Sequence, residues 1–308
     1  MKALLLKKVG FFFIFLGAAG SLIFFIVHTI PGNPVISMLG KMPSSEDIRR
    51  LQLILKLDRP LGEQYVHFIK KLLFLDLGES IIDRKSVVGA IMKYFPNTAI
   101  LAFVAMILAM LIAFPLGILA ALKKNSIWYV LSMILSAIGL AIPGFLLGIL
   151  LIILFSVQLK FLPISGSGGF EFLILPVITL AIPISAFLAH MIYTAVVGEL
   201  RQPYVLLAQS KGFSEFHILS RHIFKNAMIP IITIMGLQLG ACLSGAIIIE
   251  SVFSWPGIGT LLITAIRQRD FPMIQGVVLF IAALYLLLNL LVDLSYPIIN
   301  PRIRHDSF

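Results

Sequence analysis

The side chains able to do chemistry are few, and they do not assemble into a catalytic set. Six histidines (His28, His67, His190, His217, His222 and His305) fall at no metal-ligand spacing, and there is no H-E-x-x-H string. No G-x-x-x-x-G-K-[ST] loop occurs, so the chain lacks that route to ATP hydrolysis. Ser165–Gly169 reads SGSGG but lacks the G-x-S-x-G frame of a nucleophile elbow; following Pro163, it reads as a turn. The single cysteine, Cys242, has no partner for a disulfide or a metal and reads as a packing residue. Two acidic residues stand in apolar runs. Ionisable groups inside a membrane span are expensive and point to function by default. Glu250 is therefore a candidate gate or helix-positioning group, with an interfacial place at the outer end of its span as the alternative, while Asp293 reads as a structural pair. The chain is expected to be a conduit or scaffold, not an enzyme, with no cofactor or metal of its own.

The elements that must position these residues are set by the solvent. Of 308 residues 59% are hydrophobic and 12% charged, with mean hydropathy +1.04. Soluble domains carry about 25% charged residues, so much of this surface must face lipid. Six apolar runs reach the length of a span: Val9–Ile30, Thr98–Leu122, Ile127–Val157, Phe172–Val196, Ala227–Ser251 and Met273–Ile298. The first is too long for the apolar core of a cleaved signal peptide and reads as a retained span. Net charge is +10, but its placement argues against nucleic acid as a partner. Lys2, Lys7 and Lys8, then Lys123 and Lys124, then Arg201, Lys211, Arg221 and Lys225, then Arg302 and Arg304 all fall on one face after six crossings. The positive-inside bias makes that face the cytoplasm, with both termini there.

On the opposite face one long loop, residues 31–97, carries both signs of charge and helical stretches, over Ser45–Leu57 (capped by Ser44 or Ser45) and Leu61–Leu73. It is expected to be an extracytoplasmic subdomain between residues 1–30 and a membrane core over 98–308. Prolines punctuate the spans, and Pro143, followed by Gly144 in mid-span, predicts a break that serves either packing or the pathway.

The loop Gly198–Asn226 holds the most information. Tyr204, Val205, Leu207, Phe213, Phe216, Ile218, Leu219 and Phe224 recur among basic residues with amphipathic helical patterning. Gly212 can end one helix and Ser214 can cap the next. Such a helix-turn-helix either docks a partner or lies on lipid headgroups.

Tyr204, Ala208, Lys211-Gly212, Arg221-His222, Asn226 and Pro230 resemble the EAA loop of ABC-importer permeases in its dipeptide, oligopeptide and nickel version. The run ESVFSWPGIGT from Glu250 to Thr260 is similar to the same subfamily. So are RQRDFPMIQG from Arg267 to Gly276, Asn289, Asp293, Asn300-Pro301-Arg302, the PGNP at Pro31–Pro34, and the strings LDRPLGEQY and LDLGES. The resemblance runs nearly end to end. It departs at His190 and Tyr193, where the family often has arginines, and at Leu206-Leu207-Ala208, where the acidic residue of the EAA triplet is missing.

The resemblance implies an all-α polytopic inner-membrane protein with six transmembrane helices and the type I ABC importer permease fold. It implies a coupling helix over Tyr204–Ser214, with Leu207, Ala208, Lys211, Gly212 and Phe213 meeting a separate ATPase, supported by Arg221, His222 and Asn226. It implies partners: a second permease subunit, two ATPase subunits that hold ATP and Mg, and an extracytoplasmic binding protein meeting the outer loop and the turn at Trp255, Pro256, Gly257, Arg269 and Asp270. Pro143, Glu250 and Asp293 are the pathway candidates. Di- or oligopeptides are the expected cargo; nickel chelates and glutathione share these motifs. A stand-alone secondary transporter would need charged relays within the spans, which are few here, and a scaffold would differ only in what it recruits.

Overall fold

Lipid offers the backbone no hydrogen bonds, so a spanning segment must satisfy its own, and helices do this locally. The computed structural model describes residues 2–29, 44, 46, 58–74, 76–123 and 126–299. Among these the fold is helical, with one isolated antiparallel bridge, Glu79 to Ser86. The order is α1 (Lys2–Thr29), α2 (Leu61–Leu73), α3 (Val87–Leu122), α4 (Ile127–Ala141), α5 (Gly144–Leu151, running on as a π-helical stretch, Ile152–Gln158), α6 (Glu171–Leu200), α7 (Pro203–Ser210), α8 (Glu215–Ile218, continued by a π-helical turn, Leu219–Ile223), α9 (Phe224–Val252), α10 (Ile258–Gln268) and α11 (Phe271–Ile299). Among the described residues five long apolar helices can each cross a membrane, or six if α4 and α5, bent by 102° at their break, are counted as one span.

That bend sits where the sequence puts it. The residue before a proline is pushed out of the helical region, and Ile142 is extended (φ −93°, ψ 120°) before Pro143 opens α5. Pro176, Pro183 and Pro230 lie inside α6 and α9, which continue through them. The span expected over Thr98–Leu122 lies within a longer helix, α3, which begins at Val87. Its start is a serine cap: Ser86 Oγ accepts the Gly89 N–H at 3.3 Å. The helix expected over Leu61–Leu73 forms at those bounds, with Glu63 in its first turn and Lys70 and Lys71 in its last, as the helix dipole favours. The one expected over Ser45–Leu57 lies outside the described residues apart from Glu46, as do the PGNP string and Asn300-Pro301-Arg302.

The chain forms two compact units, Met1–Thr98 with Pro256–Leu287 and Ala99–Trp255 with Leu288–Phe308. The long loop is thus grouped with α10 and the start of α11 as well as with α1. In the first unit Phe24 of α1 packs on Tyr65 and Phe68 of α2, each with ring centroids 5.4 Å away, and Ser21 hydrogen-bonds Tyr65 at 2.8 Å. In the second, α6 is the central post. Apolar side chains gain little by leaving lipid for another helix, so association depends on close approach. A Cβ on Gly139 would stand 2.3 Å from that of Ala186, and one on Gly117 would stand 2.8 Å from the Ala189 carbonyl oxygen.

Candidate functional site

The chain leaves α6 at Arg201 and reaches an extended Gln202, as it must before Pro203, which occupies the first position of α7. The helix is short because a Schellman turn closes it. Phe213 N–H donates to Ala208 O at 3.3 Å, Gly212 N–H donates to Gln209 O at 2.9 Å, and Gly212 takes φ +78°. Ser214 then caps α8, its Oγ accepting the His217 N–H at 3.3 Å. The single helix expected over Tyr204–Ser214 therefore ends at Ser210, and Lys211 to Ser214 form the corner.

The two faces of this corner differ. Val205 and Ala208 are buried with Ile218 and Ile223 in the core of the second unit. Leu206 and Leu207 are 60% and 58% exposed, and Phe213 and Phe216 are exposed with them. Phe213 stacks on His217 at 5.0 Å, with His222 at 6.5 Å. Arg201, Lys211, Arg221 and Lys225 are exposed around them.

One polar node ties this loop together. Tyr204 donates its hydroxyl hydrogen to Glu199 Oε2 on the last turn of α6, and Asn226 Nδ2, on the first turn of α9, donates to Tyr204 Oη at 3.1 Å and to Glu199 Oε2 at 3.5 Å. Burial, then the bond to Glu199, pushes the Tyr204 phenol above its ordinary value, and Asn226 opposes this. The sequence reading named Tyr204 and Asn226 but missed Glu199. A signal was there: a carboxylate at a helix C-terminus opposes the dipole at a cost of roughly 0.3–1 kcal/mol, so it needs a local reason.

In the first unit a second node surrounds Asp270. It is 2% exposed and accepts from Ser80 Oγ (2.5 Å), Ile81 N–H (3.2 Å) and Met273 N–H (3.3 Å). Pro256 O accepts from Asn97 Nδ2 at 2.7 Å, and Thr98 Oγ1 accepts the Ile258 N–H at 2.8 Å. Of the residues expected to face a binding protein, Trp255, Gly257 and Asp270 are buried, Pro256 is half-buried, and Arg269 is exposed. Burial turns the first three from surface contacts into framework. Ser80, Asn97 and Thr98 were missed because their partners lie far along the chain.

Among the pathway candidates, Glu250 is fully buried within the protein. Asp293 is half-buried on α11, and Pro143 stands at the α4–α5 break. Among the described residues no three His, Cys, Asp or Glu side chains gather to hold a metal.

Residues 113–305 match the family described as the binding-protein-dependent transport system inner membrane component, and residues 1–102 match its N-terminal family. The glutathione transport system permease proteins GsiC of Escherichia coli strain K12 and of Salmonella typhimurium strain LT2 are each 38% identical over 284 residues, covering 92% of this chain and 93% of theirs. Among solved structures, the inward-facing MetNI methionine ABC transporter matches with TM-score 0.56 at 15% identity, over 69% of this chain and 97% of that one. An amino acid ABC transporter with histidines matches with TM-score 0.53 at 18% identity, over 70% and 94%. The type I ABC importer permease fold expected from the sequence is the fold these structures share.

Proposed function

The chain belongs to the family of binding-protein-dependent transport system inner membrane components, and from that premise we propose that it forms half of the translocation pathway of an ATP-driven importer of short peptides. The observation that carries the coupling is the corner after α6. A short helix is fixed on its inner side by Val205, Ala208 and the Tyr204 node, and presents Leu206, Leu207, Phe213 and Phe216 on its outer side. Fixed apolar side chains ringed by basic residues are suited to a groove on a partner protein. That partner is an ATPase subunit, one of two, holding the ATP and Mg that this chain does not bind.

Alternating access then needs a bias. Moving a two-state population from 1:99 to 99:1 takes about 5.5 kcal/mol of differential binding. ATP closure of the two ATPases supplies it, through α7 of this chain and the matching helix of a second permease subunit, to the spans. Exposed Phe13, Ile14, Phe15 and Leu22 of α1 face lipid in the inner membrane, and both termini are cytoplasmic. The binding protein delivers cargo to the opposite face, where Arg269 is an available contact.

The relatives named as glutathione permeases support a peptide cargo, since glutathione is itself a modified tripeptide. Competition of unlabelled glutathione, dipeptides and nickel chelates against labelled peptide uptake separates these cargoes. The coupling role is tested by Gly212→Pro. Proline locks φ near −65° and deletes an N–H, whereas Gly212 stands at φ +78° and donates to Gln209 O. Uptake is expected to vanish while the protein still reaches the membrane; normal uptake by a well-expressed variant would remove the coupling-helix assignment.

A further inference from the structure

We infer that Glu199 is a positioning residue that makes α6, α7 and α9 move as one body, so that a push on α7 reaches two spans at once; this rests on the coupling role proposed for α7. Each helix contributes one polar group to the node: Glu199 from the end of α6, Tyr204 from the start of α7, Asn226 from the start of α9. Glu199 Oε2 accepts from both partners, and Tyr204 Oη accepts from Asn226 while donating to Glu199. The three side chains therefore close a ring in which every pair is bonded.

Without the ring, the chain joins α7 to α6 by two residues, Arg201 and Gln202, and to α9 through the Gly212 corner and α8 with its π-helical turn. Those links turn at backbone dihedrals and would absorb a displacement at Leu206 and Leu207. The ring crosses both links with side chains and stiffens them. It also accounts for a carboxylate at the C-terminal end of a helix, where the dipole disfavours it. Apolar packing of Val205 and Ala208 holds α7 against the core. The hydrogen-bond ring at its first turn adds directional bonds to both α6 and α9.

The test uses the full transporter in proteoliposomes, with cargo moved per ATP hydrolysed as the readout. A residue that only stabilises the fold changes the amount of active complex, not this ratio. Glu199→Ala is expected to lower the ratio about tenfold, within the range by which residues between coupled sites modulate coupling. Glu199→Gln, which keeps an acceptor for Tyr204, is expected to rescue most of it. Tyr204→Phe should lower the ratio alone, and the double variant Glu199→Ala with Tyr204→Phe should be no worse than either single change, because both open the same ring. An unchanged ratio in Glu199→Ala, or losses that multiply in the double variant, would overturn the inference while leaving the coupling role in place. If the unmodified complex moves cargo without hydrolysing ATP, the coupling role fails and the inference falls with it. Should Glu199→Ala fail to assemble, Tyr204→Phe and Asn226→Ala carry the same cycle.

Discussion

Two carboxylates, Asp270 and Glu199, each tie distant stretches of chain together, and they do it in opposite surroundings. Asp270 binds Ser80, Ile81 and the first turn of α11 from a site that is 2% exposed. Glu199 binds Tyr204 and Asn226 from a half-buried site, and Asn226 is exposed. A hydrogen bond sheltered from water is costly to break, because the groups left behind have nothing to bind; one at a wet surface can be remade with solvent. The first arrangement is suited to a permanent staple, the second to a joint that holds a shape under load. On the coupling role proposed for α7, the difference separates a residue that serves folding from one that serves transport, although both are acidic and both sit at helix ends.

The comparison breaks most visibly at the staple. Asp270→Ala leaves buried donors on Ser80 and Met273 and a part-buried one on Ile81, and should cost about 3 kcal/mol, seen as a lower thermal midpoint and poor recovery in mild detergent. Glu199→Ala should leave that midpoint nearly unchanged; an equal loss in both variants would erase the distinction. Two left-handed residues sharpen it further. Gly212→Ala at φ +78° should add about 1 kcal/mol of strain at the joint and reduce uptake more than thermal stability. Arg269, at φ 55° beside the staple, bears such strain already, so Arg269→Gly should raise the midpoint slightly, by the equivalent of about 0.5–1 kcal/mol. If that arginine is there for the binding protein, the same change weakens docking of the loaded binding protein, measured by pull-down.

The smallest effect concerns pH. The Tyr204 phenol is held above its ordinary value of 10.0, first by burial and then by the Glu199 bond. A raised value in the folded state favours the protonated form. Its contribution is therefore whole below the unfolded value and is lost as pH climbs through the raised one. The difference in thermal midpoint between the unmodified protein and Tyr204→Phe should be constant to about pH 9 and narrow above about pH 10. A difference that narrows already near neutrality would mean that some other group governs the node.

How much was legible in the sequence depended on how local the cause was. Gly212 and Ser214 were readable because a left-handed turn and a serine cap are set by neighbours within three or four residues. The break at Pro143 and the bounds of α2 are local in the same sense. The apolar run from Thr98 does not reveal that α3 begins at Val87, because hydropathy marks where lipid begins, whereas the Ser86 cap marks where the helix begins. The end of α7 was placed four residues too far because the amphipathic pattern runs on across the corner. The staple could not be read at all, since Ser80 and Asp270 stand 190 residues apart and nothing near either announces the other. Distance along the chain also hides Glu199, since its partner Asn226 is 27 residues away. Burial of Trp255, Gly257 and Asp270 turned a stretch that reads like a surface motif into part of the fold.

The corner between α6 and α9 as the point where an ATPase meets the spans is tested most directly by cross-linking. Leu207, 58% exposed, is changed to cysteine; the one native thiol, Cys242, is buried and should stay silent toward a short thiol-reactive photo-cross-linker. In membranes holding the whole transporter, Leu207→Cys should give a covalent adduct whose second component is a P-loop ATPase, with a yield that changes when ATP is added. Adducts with lipid alone, from a complex that still carries out ATP-driven uptake, would place the corner on the membrane surface and contradict the assignment.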